Sequence, residues 1–214
     1  PYIRSTIESI IGQDYPREKM EIIISDGMSD DGTIGEINRL IDDRKKEDLP
    51  TPEISILENH ERYVPSGLNR AIKKAAGSII VRIDGPVEIE SDYISQCLRA
   101  LDEMGCDVVG GPINTIGEGR NAKAIALAMS SRFGVGNSAF RTSKKAGFVD
   151  TVPFGTFKKE TLLKTGLFDE RFIRHQDYEL NYRIRKSGGL IYLSPKIRSN
   201  YFSRVSIRKL IGQY

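Results

Sequence analysis

Histidine and cysteine are scarce: two of each in 214 residues. No cysteine–histidine cluster has zinc spacing. Cys97 and Cys106 stand nine apart in apolar surroundings. They read as free, partly buried thiols in a reducing cytoplasm rather than as a disulfide or a metal pair. No run of 18 apolar residues occurs, so the sequence offers no membrane-spanning helix, and no signal peptide is visible. A Gly-x-x-x-x-Gly-Lys phosphate loop and a Gly-x-Ser-x-Gly nucleophile turn are both missing. Excess charge is small as well. Thirty-two Lys and Arg against 29 Asp and Glu leave +3, which argues against a nucleic-acid partner, because that would call for a concentrated basic face. With 39% hydrophobic and 29% charged residues, the composition is that of an ordinary soluble globular domain.

What is present is an alternation. Helical apolar spacing at Ile3, Ile7, Ile10 and Ile11 gives way to a strand over 21–25. Thr33 with Glu36 predicts a capping box in front of Ile34, Ile37 and Ile41. A strand at 54–57 follows, then a helical stripe at Leu68, Ala71, Ile72 and Ala75 with Gly77 placed as its C-cap. Further strands are predicted over 79–83, 107–110 and 190–193. Helices are predicted around 94–101, 122–131, 158–164 and 177–186. Strands alternating with helices of this length predict an α/β fold with a mostly parallel central sheet covered by helices on both faces. The rhythm weakens after Gly111-Pro112, and the glycine- and serine-bearing stretch 134–147 is the longest candidate loop.

Two of the apolar runs end in an aspartate. Ile22-Ile23-Ile24-Ser25 leads to Asp26, and Ile79-Ile80-Val81-Arg82-Ile83 leads to Asp84. In an open α/β sheet, ligands bind outside the carboxyl ends of the strands. A carboxylate there accepts hydrogen bonds from a base or ribose, or ligates a divalent cation that bridges phosphates. The bland alternatives are an Asx-rich loop capping its helix and a strand-terminal turn residue. A third acid, Asp177, opens a helix. It reads either as an N-cap or as a general base aimed into the crevice. Glu179, two residues on, points elsewhere on a helix, so only one of the two faces a site. His175 reads as a structural residue. The C-terminal Lys196, Arg198, Arg204, Arg208 and Lys209, with no acid among them, read either as solvated surface or as attraction to an anionic membrane or substrate.

In series these segments resemble family 2 glycosyltransferases of the GT-A, nucleotide-diphospho-sugar transferase, fold. Ser25–Thr33 resembles that family's Asp-Gly-x-Ser-x-Asp-Gly-Thr nucleotide loop, with Asp26 and Asp31 in its acidic places. Gly67-Leu68-Asn69-Arg70-Ala71 with Gly77 resembles its next nucleotide-side helix. Asp84 matches the first acid of the Asp-x-Asp metal motif, and His175-Gln176-Asp177 matches the acidic pair whose second member is the base. Residues 133–137, 149–155 and 168–170 resemble the succinoglycan, exopolysaccharide-type branch.

The resemblance implies an inverting transfer of a sugar from a nucleotide-diphospho-sugar donor to a hydroxyl of a saccharide or lipid-linked saccharide acceptor. It implies Asp177 as base, with Asp26, Asp31, Asn69, Asp84 and Gly155 on the donor, and Asp84 on a Mg or Mn ion. Residues 1–112 are then the nucleotide-sugar half and 113–214 the acceptor and base half of a single domain. The implied location is cytoplasmic, at the inner face of the membrane, with peripheral membrane contact. Departures are visible too. Pro86 stands where the metal motif has its second ligand, and Gln176 replaces the first acid of the pair. The chain opens directly in the family's first helix and stops where relatives continue toward a membrane-associated tail, which implies a truncated domain. Competing readings are a nucleotide-sugar- or carbohydrate-binding module without turnover, and a sugar-phosphate nucleotidyltransferase. The latter calls for a glycine- and lysine/arginine-rich N-terminal loop that the sequence lacks.

Overall fold

The computed structural model describes residues 2–117 and 145–202. It begins with helix α1 (Ile3–Ile11), whose buried face is Thr6, Ile7 and Ile11. Strand β1 (Glu21–Asp26) follows, then α2 (Thr33–Lys46), β2 (Glu53–Glu58) and α3 (Val64–Lys74). β1 and β2 pair in parallel, Ile22 opposite Ile54 and Asp26 opposite Glu58. Both strands bring isoleucines to the α1–α2 layer, where Ile7, Ile11, Ile22, Ile37 and Leu40 form one buried cluster.

Next come β3 (Ile79–Val81), β4 (Val87–Ile89), α4 (Tyr93–Glu103), β5 (Val108–Gly110) and β6 (Ile113–Ile116). After the undescribed residues 118–144 the order is β7 (Gly147–Phe148), β8 (Thr156–Lys158), α5 (Lys159–Thr165), α6 (Gln176–Lys186), β9 (Ile191–Leu193) and β10 (Ser199–Phe202). The predicted helix at 122–131 and most of the candidate loop at 134–147 lie outside the described residues.

The α/β architecture stands, and its sheets are mixed. The five-stranded sheet runs β3-β8-β5-β9-β7. β5 and β9 are parallel, but β8 enters between β3 and β5 antiparallel to both. A second sheet, β4-β10-β6, joins an antiparallel and a parallel ladder. Apolar side chains lie on both faces of the five-stranded sheet. Val108, Phe157, Leu162, Leu180, Ile184, Ile191 and Leu193 form one cluster with α5 and α6. Val109, Cys97, Leu101, Val87 and Ile197 form another with α4. Burial keeps both cysteines as thiols; it pushes Cys97 up to about 12 and raises Cys106. Glycine is obligatory at 111, where a Cβ would stand 1.7 Å from the Ile197 carbonyl oxygen.

Two local expectations are corrected. Glu36 does not cap α2, because Arg4 Nε donates to it at 2.6 Å and Arg39 at 3.1 Å. The helix is entered instead through Gly32 in a left-handed conformation. Gly77 is not the C-cap of α3, which ends at Lys74 with Ala75 capping. The Gly77 amide donates to the Glu21 carboxylate at 2.9 Å, tying the entry of β3 to the start of β1.

Candidate functional site

β3 stops at Val81, and the backbone of Arg82 turns toward the neighbouring strand, its N–H donating to the Gly155 carbonyl at 3.3 Å. The Arg82 side chain therefore starts from inside the sheet and ends with only 4% of its surface exposed. A charge this deep needs partners, and it has two. Its Nε and Nη2 donate to the two oxygens of Asp84 at 2.8 and 2.6 Å. Its Nη1 donates to Asp177 Oδ1. The guanidinium carbon also lies 5.5 Å from the centroid of the Phe168 ring, within cation–π range.

One buried arginine thus joins acids 93 positions apart in the chain, each still about a third exposed: 34% for Asp84 and 31% for Asp177. The triad sums to −1. Loss of solvation raises the Asp177 carboxyl above the usual aspartate value, and Asp84 adds to the rise. Arg82 opposes it by attraction and by its hydrogen bond. Both acids raise the Arg82 guanidinium in turn.

Helix geometry delivers Asp177 to this place. His175 takes a left-handed conformation (φ 61°) at the N-cap and makes no side-chain cap bond, and its ring lies edge-on to Tyr178. Asp177 is therefore the second helical residue, not the cap. Glu179 points away, into a two-oxygen pair with Arg183 at 2.6 Å. Arg183 also donates to the carbonyls of Thr165 and Leu167, so it ties α5 to α6. Arg185 pairs with Asp150 at 2.8 Å.

The other sequence-predicted residues fall into two groups. Asp26 and Asp31 sit in the β1–α2 loop. Asp26 Oδ2 accepts from the Ser29 amide at 2.8 Å. Asp31 Oδ1 accepts from both the amide and the hydroxyl of Thr33, at 3.1 and 2.6 Å, which hold its carboxyl below the ordinary range. No hydrogen bond or ion pair joins this loop to the Arg82 triad among the described residues. Asn69 and Gly155 are buried. The Asn69 amide accepts from Phe168 N at 3.0 Å and donates to Phe168 O and Glu170 Oε1, both at 2.9 Å. A Cβ on Gly155 would stand 2.6 Å from the Phe157 ring, so its bareness lets β8 pass beside Arg82.

Arg82 and Phe168 were not among the predicted site residues. The signal for Arg82 was in plain view: a lone cation inside an apolar run has to be paired once the strand is buried. Phe168 gave no comparable signal, since only the tertiary fold lays its ring against that cation.

For a metal, Asp84 is the available acid, because the side chain of Pro86 has no ligating atom. Among the described residues no group of three or more His, Cys, Asp or Glu gathers to hold a metal ion. A single, partly exposed carboxylate fits an ion that keeps water and phosphate oxygens as its remaining ligands.

Comparison with known proteins relates the chain to sugar-transferring enzymes. The family model described as Glycosyl transferase family 2 matches residues 1–171. A dolichyl N-acetyl-alpha-D-glucosaminyl phosphate 3-beta-D-2,3-diacetamido-2,3-dideoxy-beta-D-glucuronosyltransferase of Methanococcus voltae is 32% identical over 218 residues, covering 99% of this chain and 66% of that protein. The succinoglycan biosynthesis protein ExoA of Rhizobium meliloti (strain 1021) is 29% identical over 195 residues, covering 90% and 57%. The chain therefore spans less than two thirds of either relative.

Among solved structures, the mannosyltransferase PcManGT of Pyrobaculum calidifontis, in complex with GDP-Man and Mn2+, superposes with a TM-score of 0.67 at 21% identity. The match covers 94% of this chain and 52% of that one. S. aureus TarS 1–349, in complex with UDP-GlcNAc, gives 0.66 at 15% identity, covering 95% and 55%.

Proposed function

Because the chain belongs to glycosyl transferase family 2 and has the GT-A fold, we propose that it is the catalytic part of an inverting glycosyltransferase. It moves a sugar from a nucleotide-diphospho-sugar to a hydroxyl of a saccharide acceptor, carried on a lipid, in polysaccharide biosynthesis. The observation that carries this reading is the Asp84–Arg82–Asp177 triad. It sets an acid from the end of one strand beside an acid from the first turn of a distant helix.

The division of labour follows from the positions. Asp26, at the carboxyl end of β1, meets the nucleoside of the donor, and Asp31 keeps the loop behind it in shape. Asp84 faces the diphosphate. Asp177 accepts the proton of the acceptor hydroxyl as that oxygen forms its bond to the anomeric carbon. The carbon–oxygen bond to the diphosphate breaks on the opposite side, and its electron pair leaves with the nucleoside diphosphate. Asn69 and Gly155 serve the donor site from behind, by holding Phe168 and Arg82. A divalent ion, Mg or Mn, fits at Asp84 and when bound offsets charge on the diphosphate. The donor half, 1–112, and the acceptor half, 113–214, meet at the triad.

The Methanococcus voltae relative is named for a dolichyl phosphate-linked sugar, and this supports a lipid-linked acceptor here. Among the described residues no helix is long and apolar enough to cross a membrane. The basic residues from Lys196 onward fit peripheral contact with an anionic inner membrane face.

A thermal-shift screen of UDP-, GDP- and dTDP-sugars with Mn2+, followed by mass spectrometry of lipid-linked saccharides incubated with the stabilising donor, tests the proposal. Transfer predicts an acceptor heavier by one glycosyl unit. A stabilising donor that gives no product with any acceptor marks a binding module instead.

A further inference from the structure

A general base must present one carboxylate oxygen to its proton donor, and an aspartate free to rotate about its side-chain bonds does so only part of the time. Asp177 has no capping bond to hold it, since the cap position belongs to His175. What holds it is Arg82. The guanidinium has little freedom of its own: its fork is fixed on both oxygens of Asp84, and its carbon lies over the Phe168 ring, 5.5 Å from the centroid. Phe168 is pinned in turn, because the Asn69 amide of α3 bonds both its N–H and its carbonyl.

We propose that Arg82 is the positioning residue of the base: by donating to Asp177 Oδ1 it turns Oδ2 toward the acceptor hydroxyl, and Asp84 and Phe168 fix the place from which it does so. This inference rests on the reading of Asp177 as the base.

Three features carry the inference. Nη1 is the guanidinium nitrogen left over once the Asp84 fork is formed, so the bond to Asp177 follows from the first pair. Among the described residues no other side chain hydrogen-bonds to Asp177. Finally, burial raises the Asp177 carboxyl, and the positive charge between the two acids opposes that rise. The same connection makes Asp84 more than a donor contact, since a change at the diphosphate end of the site reaches the base through one rigid side chain. Such second-layer alignment is worth a large factor in rate, because about 1 Å of misplacement can cost roughly a hundredfold.

The test is a pair of double-mutant cycles on the full protein, using Arg82→Lys, Asp177→Asn and their combination. Lysine keeps the charge and loses the fork geometry. In the kinetic cycle, Arg82→Lys lowers kcat by roughly 10–100-fold and changes donor KM far less, while the double variant is no slower than Asp177→Asn alone. In the thermal cycle, the loss of Tm in the double variant is smaller than the sum of the single losses. If Arg82→Lys does not fold, Phe168→Leu removes the ring against the guanidinium, keeps all three charges, and gives the same kinetic pattern at smaller size.

A kcat within twofold of the parent, or losses that multiply in the double variant, overturns the positioning role. Turnover that survives Asp177→Asn instead overturns the base assignment and the inference with it. The thermal cycle, which needs no turnover, still records the contact and so tells the two failures apart.

Discussion

The acids of the β1–α2 loop and the acids around Arg82 have the same chemistry in two settings. Asp26 and Asp31 are bonded to amides and a hydroxyl of their own short loop, and water can replace each of those bonds at little cost. Asp84 and Asp177 come from distant parts of the chain and share a cation with 4% of its side chain exposed. There, removing the cation leaves both acids without it, half-buried side by side. A loop of the first kind can reshape itself around a ligand, whereas a triad of the second kind holds fixed geometry. That is the division expected between recognising a nucleoside and aligning a proton transfer.

Substitutions should separate the two settings. Arg82→Met strands both carboxylates beside an apolar chain and should cost roughly 3 kcal/mol of stability, read by denaturant unfolding. A loss as small as that of a surface substitution would dissolve the distinction. Gly155→Ala drives a methyl group into the Phe157 ring next to the Arg82 amide and should cost about 1–3 kcal/mol, with turnover falling alongside. On the loop side, Asp26→Ala should leave Tm nearly unchanged and weaken donor binding by roughly 1–1.5 kcal/mol, about tenfold. Calorimetry giving equal affinity would take Asp26 out of the site.

A smaller effect lies in the pH dependence. The folded protein raises the Asp177 carboxyl, so protonation favours folding. That contribution is complete below the ordinary aspartate value near 3.9 and is lost as pH rises through the raised value. Asp177→Asn should flatten stability across this window. The smallest change is expected from Asp31→Asn, which keeps an acceptor oxygen for the Thr33 amide and hydroxyl, loses only an exposed charge and should shift Tm only slightly.

Much of this was legible in the sequence because it is local. β1, β2, α4 and α6 follow from periodicity, and Asp84 and Asp177 follow from where apolar runs end and helices begin. The misses are non-local. Nothing within a few residues of Thr156 says that its strand will slip between β3 and β5. Thr33 and Glu36 have capping-box spacing, yet Arg4, 32 positions away, draws Glu36 aside. The bonds that hold Asn69 were not legible, because its partner, the Phe168 backbone, lies 99 positions along the chain. Arg82 was visible as an oddity in an apolar run, but its meaning needed both partners in space.

The account turns on Asp177 as the group that takes the acceptor's proton. Its most direct test compares transfer by the parent and by Asp177→Asn at equal donor occupancy, each confirmed folded by its melting curve. A fall in kcat of about 10²–10⁴-fold with donor affinity unchanged is the expected result. Equal rates would leave Asp177 as no more than a partner for Arg82 and would contradict the account.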